Sequence, residues 1–169
     1  TMVELIVVMA ILAVLCGVIV PNVFAWLRDS KLKTCNSQAK VVLNTAVTVL
    51  QDYQLEGKVS QITTTDGVIT IEKGDSNVAT PTITAKLGSN FGENSVWYVN
   101  ATTSNVNDKN LNTIRVNSAL FADNNTGVCI GRYPVPANQY SNASGFDTVK
   151  GSISTPISGT SDAIYDSTK

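Results

Sequence analysis

No histidine occurs anywhere in the 169 residues. Its absence removes the usual general base, the Ser/His/Asp and Cys/His triads and the commonest metal ligand. Charge is scarce as well: 15% of residues are Asp, Glu, Lys or Arg, against about 25% in ordinary soluble domains. The 12 basic and 13 acidic side chains almost cancel, leaving −1, so charge makes no case for a nucleic-acid partner. Cysteine is confined to Cys16, Cys35 and Cys129, too scattered for a C-x-x-C metal site. The composition therefore predicts no enzyme, no cofactor and no metal.

The missing charge is concentrated in one place. From Leu5 to Leu27 no side chain is charged, and Asn22 is the one strongly polar residue. Leu5 to Val20 is apolar on every face of a helix, and such a helix must be buried in lipid or in other protein. Carried on to Leu27 it spans roughly 34 Å, enough for a bilayer. A cleaved secretory signal fits poorly: the flanking charge is Glu4 rather than a basic residue, and no Ala-x-Ala site follows. A plain membrane anchor explains the length but not Glu4 or Pro21. Pro21 has no N–H and presses on the carbonyl of Gly17, itself a weak helix former, so the two mark one weak turn.

Thr1-Met2-Val3-Glu4-Leu5-Ile6-Val7-Val8-Met9-Ala10-Ile11-Leu12 resembles the N-terminus of a mature type IV pilin. In that family a prepilin peptidase cuts before a hydrophobic residue, which Thr, two apolar residues and Glu follow. Pro21 also falls where many pilins have a proline. The resemblance implies a hydrophobic, N-methylated residue ahead of Thr1. It implies that Leu5, Ile6, Val7, Val8, Ile11, Leu12, Leu15 and Ile19 form a membrane or filament-core segment. Thr1, Glu4, Gly17 and Pro21 become the residues that matter for assembly.

Beyond Trp26 the pattern changes. Leu32, Cys35, Ala39, Val42, Ala46, Val49 and Tyr53 recur at spacings of three and four, the mark of one buried helical stripe, and charged residues fill the other faces. One helix is expected from near Thr1 to about Gln54, roughly 80 Å if unbroken, with Gly57 as its stop. The chain then divides into an apolar segment 1–27, an amphipathic helical segment 28–56 and a β-rich head 57–169. Thr64 to Ile71 carries Asp-Gly ahead of alternating apolar residues, a hairpin cue. Further strands are expected at Thr82–Leu87, Ser95–Asn100, Thr113–Asn117 and Val128–Tyr133. Loops are expected at Thr102–Asn112 and Asp123–Gly127, and surface loops with one or two short edge strands in the Ser/Thr/Gly/Asn-rich stretch Asn138–Lys169. The fold class is α+β: a long N-terminal helix, its apolar half protruding, its amphipathic half laid on an antiparallel sheet. That is also the pilin arrangement.

Glu4 admits two readings. A carboxylate at a helix N-terminus is favoured by the dipole. The resemblance instead pairs it with the N-terminal amine of a neighbouring subunit, a cation that an apolar core otherwise lacks. Cys16 reads as a small hydrophobe. Cys35 on the buried stripe and Cys129 in the expected strand Val128–Tyr133 are either two buried thiols or, given the extracellular fate of a pilin, a bridge from helix to sheet. Asn100, Asn124 and Asn142 head N-glycosylation sequons of the kind that arise by chance in such a composition. Asp108, Asp123, Asp147, Asp162 and Asp166 lack the density of a calcium loop. Phe24 and Trp26 suit a membrane interface or a packed helix bundle.

The function expected is structural: the major subunit of a type IV pilus, anchored in the cytoplasmic membrane before assembly and displayed on the cell surface after it. Its partners would be identical subunits, the membrane, the pilus assembly machinery and the prepilin peptidase, without nucleic acid. A pseudopilin of type II secretion, a competence-type filament, or a minor pilin with a binding head shares the same motif. The long Thr/Asn/Ser-rich head favours surface display.

Overall fold

A computed structural model describes residues 1–62, 64, 67–88, 91–105, 112–123 and 129–134. The chain divides into two compact units, Thr1–Lys31 and Leu32–Lys169. One helix, α1 (Met2–Leu55), runs through both and contains Pro21. It ends because Gly57 takes φ +69°, a left-handed conformation open to glycine. There Gly57 N–H donates to Gln54 O and Lys58 N–H donates to Tyr53 O, the paired bonds of a Schellman stop. Glu56 Oε2 accepts from Lys58 Nζ at 2.7 Å, and this hydrogen bond raises the Lys58 pKa above its ordinary value.

In the second unit the expected stripe is buried: Leu32, Cys35, Ala39, Val42, Ala46 and Val49, together with Leu50. Tyr53 is half-buried and donates its hydroxyl to Val78 O. The stripe faces a four-stranded antiparallel sheet in the order β1 (Val68–Glu72), β2 (Val96–Asn105), β3 (Asn112–Ala122), β4 (Ile130–Tyr133). Ile71, Val99, Ala119 and Tyr133 form one cross-strand row, and Trp97, Phe121 and Gly131 another. Their apolar side chains join the helix stripe in a single core. A second, smaller cluster of Tyr98, Leu120, Ala122 and Ile130 occupies the alternate positions, which in a strand point to the opposite face. This is the α+β arrangement that the residue pattern predicts, and it is pilin-like, as the N-terminal resemblance implies.

Four expectations need correction. Residues 82–87 are not a strand but belong to helix α2 (Thr80–Leu87). Thr and Ile raise strand propensity, yet Ala79, Ile83 and Leu87 are buried at a spacing of four, and Pro81 sits in the first turn, where its missing N–H costs nothing. Among the described residues no strand precedes Gly67 to form a hairpin with β1. Gly67 leads into β1, whose partner is β2, and the nearest described element before it is a 3-10 turn at Val59–Gln61.

β2 and β3 are also longer than expected, β2 running to Asn105 and β3 from Asn112 to Ala122, so Thr102–Asn105 is strand rather than loop. Asn100 pairs with Ser118 while Ala101 pairs with Val116, which leaves Asn117 as an extra, bulged residue. A bulge reverses the inward parity, from Phe121 and Ala119 to Val116 and Ile114. Strict alternation therefore fails to follow the strand past Asn117. Asn117 Nδ2 donates to Asn100 Oδ1 at 3.1 Å. Asn100 is buried, so that sequon offers no exposed acceptor. The expectations for Asn124, Val128, Asn142, Asp108, Asp147, Asp162, Asp166 and the stretch 138–169 lie outside the described residues.

The helix meets the edge strand β4 at close quarters. A Cβ at Gly131 would overlap the carbonyl of Cys35 and come within 2.6 Å of the Asn36 nitrogen. Gly131→Ala is expected to destabilise the second unit by about 2–3 kcal/mol, because backbone rather than a flexible side chain must yield. Gly92→Ala, where a Cβ meets nothing within 4 Å, is the control. Thermal unfolding of the full chain in detergent checks both, and equal melting of the two variants would contradict the close approach.

Candidate functional site

The first unit has no core of its own. Leu5, Ile6, Val7, Val8, Ile11, Leu12, Leu15 and Ile19 are each between 50% and 61% exposed. That is uniform around the helix rather than concentrated on one face. Phe24 and Trp26 continue the exposed surface. Ala10 lies in a shallow apolar depression ringed by Val7, Ile11, Val14 and Leu15. Monomeric soluble proteins rarely expose contiguous apolar patches beyond a few hundred Å², and larger ones mark protein or membrane contacts. By length and composition α1 can cross a membrane.

Glu4 opens this surface. Its Oε2 lies 3.7 Å from the Thr1 nitrogen, and both groups face solvent. The i,i+3 spacing brings them together on one side of the first turn. Leu5 N–H donates to Thr1 O, so the helical ladder begins at Thr1. The acidic group thus sits at the N-terminal end, where the dipole favours it.

Gly17 and Pro21 lie within the regular helix. A Cβ at Gly17 would meet nothing within 4 Å, so no packing inside the chain requires glycine there. Asn22 Nδ2 donates to Val18 O at 3.4 Å, one residue past the carbonyl that proline leaves without its helical donor. The weak turn is present in the residues, while the single chain keeps it closed.

No known family, curated protein or solved structure matches this chain.

Cys16 is a free, exposed thiol on the apolar segment. Cys35 and Cys129 are joined in a disulfide with Cα atoms 6.4 Å apart, within the usual span. Three further contacts beside this bond were not read from the sequence. Gly131 seats against Cys35, Arg132 N–H donates to Asn36 Oδ1 at 2.9 Å, and Lys40 Nζ stands 5.6 Å from the Tyr133 ring centroid. A glycine inside a strand is a sequence-level sign of close backbone approach, so Gly131 was legible in principle. The partner it approaches was not.

The polar depressions of the second unit hold lysines that already have partners. Lys86 Nζ donates to Asp52 Oδ2 at 3.1 Å. Lys73 Nζ donates to the carbonyls of Glu93 and Ser95 at 2.6 and 2.7 Å, which ties the loop before β2 to the end of β1. Among the described residues no group of three or more Cys, Asp and Glu side chains gathers where a metal could sit.

Proposed function

We propose that this chain is a structural subunit, the major pilin of a type IV pilus, polymerising through its N-terminal helix into a surface filament. The observation that carries the proposal is the uncovered, uncharged helix surface from Leu5 to Leu27 headed by Glu4. Such a surface needs an apolar surround, and two are available in turn. Before assembly the cytoplasmic membrane takes it up, with the second unit outside. Afterwards the helices of identical subunits take it up. Lipid is as apolar as the helices, so the transfer gains little hydrophobic energy. Side-chain packing and the placement of Glu4 then orient the subunits. Repeated contacts that do not close into a ring produce an open filament.

The prepilin peptidase and the pilus assembly machinery are the processing partners this reading requires, and it assigns the chain no reaction to catalyse. Electron microscopy of sheared surface filaments, with mass spectrometry of their main component, tests it. This chain is expected as that component. Filaments built chiefly of another pilin would make it a minor subunit, and a short periplasmic fibre would make it a pseudopilin.

The turn at Gly17 and Pro21 carries a prediction about the assembled state. In lipid an unpaired carbonyl is costly, so the helix stays closed. In a filament, neighbouring helices can shield the freed backbone, and lengthening this turn lets each helix meet the others in register. The helix is expected to open between about Leu15 and Val23 in the filament, with regular helix on either side. Gly17→Ala with Pro21→Ala restores the donor and about 4 kcal/mol of helix propensity, and should stiffen the filament under stretch. A filament map with unbroken helical rise through Gly17 to Pro21 would refute this.

A further inference from the structure

We propose that the Cys35–Cys129 bond is a tension bypass, which leaves the folded elements between the two cysteines unloaded when the chain is pulled between its N-terminal helix and its C-terminal end. The inference rests on the filament reading, in which the apolar helix holds the subunit while a load acts on the rest of the chain.

The two sulfurs close a loop with a sequence separation of 94. That loop contains α1 from Asn36 onward, β1, α2, β2 and β3. Of the described core, Leu32 and β4 lie outside it. Leu32 is also the one buried helix residue ahead of Cys35, so tension arriving from Lys31 reaches the sulfur after crossing a single buried side chain. It then passes to Cys129 and on through β4. Residues 35 and 129 cannot separate while the bond holds, and no element between them is stretched.

The same pull without the bond would act first on β4, an edge strand held to β3 by four residue pairs. Every element of the sheet would follow in series. The contacts of Gly131 with Cys35, of Arg132 N–H with Asn36 and of Lys40 with Tyr133 lie beside the bond. They keep β4 running alongside the helix in the same direction, from Cys35 opposite Gly131 to Lys40 opposite Tyr133. These contacts position the strand, and the covalent bond bears the pull.

The test is a single-molecule pull on the full chain in detergent micelles, with handles ligated enzymatically to both ends so that Cys16 is left untouched. The oxidised chain is expected never to release the loop. Reduction should add an unfolding step of roughly 330 Å, from about 3.5 Å per residue over the separation of 94. Cys35→Ser with Cys129→Ser should show that step with and without reductant. Asn36→Ala, which leaves the bond in place, should not add it. Release of the loop's full length by the oxidised chain would overturn the bypass. So would a reduced chain that keeps the loop folded at every force the oxidised chain survives. The pull needs no filament, so a chain that shows the bypass yet never polymerises would overturn the filament reading alone.

Discussion

Glu4→Ala is expected to reduce the yield of sheared filaments at least tenfold while leaving the membrane-inserted pool of subunits unchanged or larger. The two effects have opposite signs for one physical reason. In the monomer the carboxylate is solvent-facing and 3.7 Å from the Thr1 nitrogen. Removing a charge from the mouth of an apolar helix makes insertion easier. In the proposed filament the same end of the helix would be surrounded by the uncharged segments of its neighbours. A cationic amine enclosed there without a counter-charge costs several kcal/mol. Glu4→Gln keeps the shape and loses the charge, so it should fail nearly as badly as Ala. Glu4→Asp should retain part of the yield. Carbonate extraction of membranes measures the inserted pool, and electron microscopy measures filaments. Wild-type filament yield from Glu4→Ala would reduce the residue to a helix cap.

Removing the Cys35–Cys129 bond should produce the largest change in stability. Closing a loop with a separation of 94 restricts the unfolded chain by about 4–5 kcal/mol in the chain-entropy description. In a unit of this size that corresponds to a fall in melting temperature of roughly 10–20 °C. Cys35→Ser with Cys129→Ser, or reductant on the unaltered chain, should each give this fall, measured on the full chain in detergent by circular dichroism. Cys16→Ser is the control, because Cys16 is exposed and lies in the first unit. Three titratable thiols in the denatured, unreduced chain would show that the bond does not form. The Gly131→Ala change addresses the same joint by a different route. It strains the folded state through overlap with backbone, whereas loss of the bond acts on the unfolded ensemble.

Much of this was legible in the residues because it depends on local periodicity. The stripe from Leu32 to Val49 repeats at three and four, and the structure buries it on the sheet. The helix stops within a residue or two of where Gly57 placed its end. The misreadings share a cause as well. In Thr82–Leu87, β-branched side chains suggested a strand, while the burial of Ala79, Ile83 and Leu87 against the sheet selected a helix. In β3 a single extra residue at Asn117 broke the alternation on which the sequence reading relied. Asp66-Gly67 is a hairpin signal only when a strand lies on both sides of it, and the partner of β1 arrives much later in the chain, at β2.

The candidate site divides in the same way. The uncharged run from Leu5 to Leu27, the acidic residue ahead of it and the weak turn at Gly17 and Pro21 are properties of consecutive residues. The sequence by itself therefore determined that this surface must find an apolar partner. The joint between helix and sheet is a property of distant residues. Whether Cys35 and Cys129 met was open until the fold placed their Cα atoms 6.4 Å apart. Nothing in the spacing of Asn36 and Arg132, or of Lys40 and Tyr133, announces that they touch. Period and charge act along the chain and can be read there. The approach of β4 to α1 is decided only when three strands have paired and the helix has settled on them, because only then does the missing Cβ of Gly131 admit the backbone of Cys35.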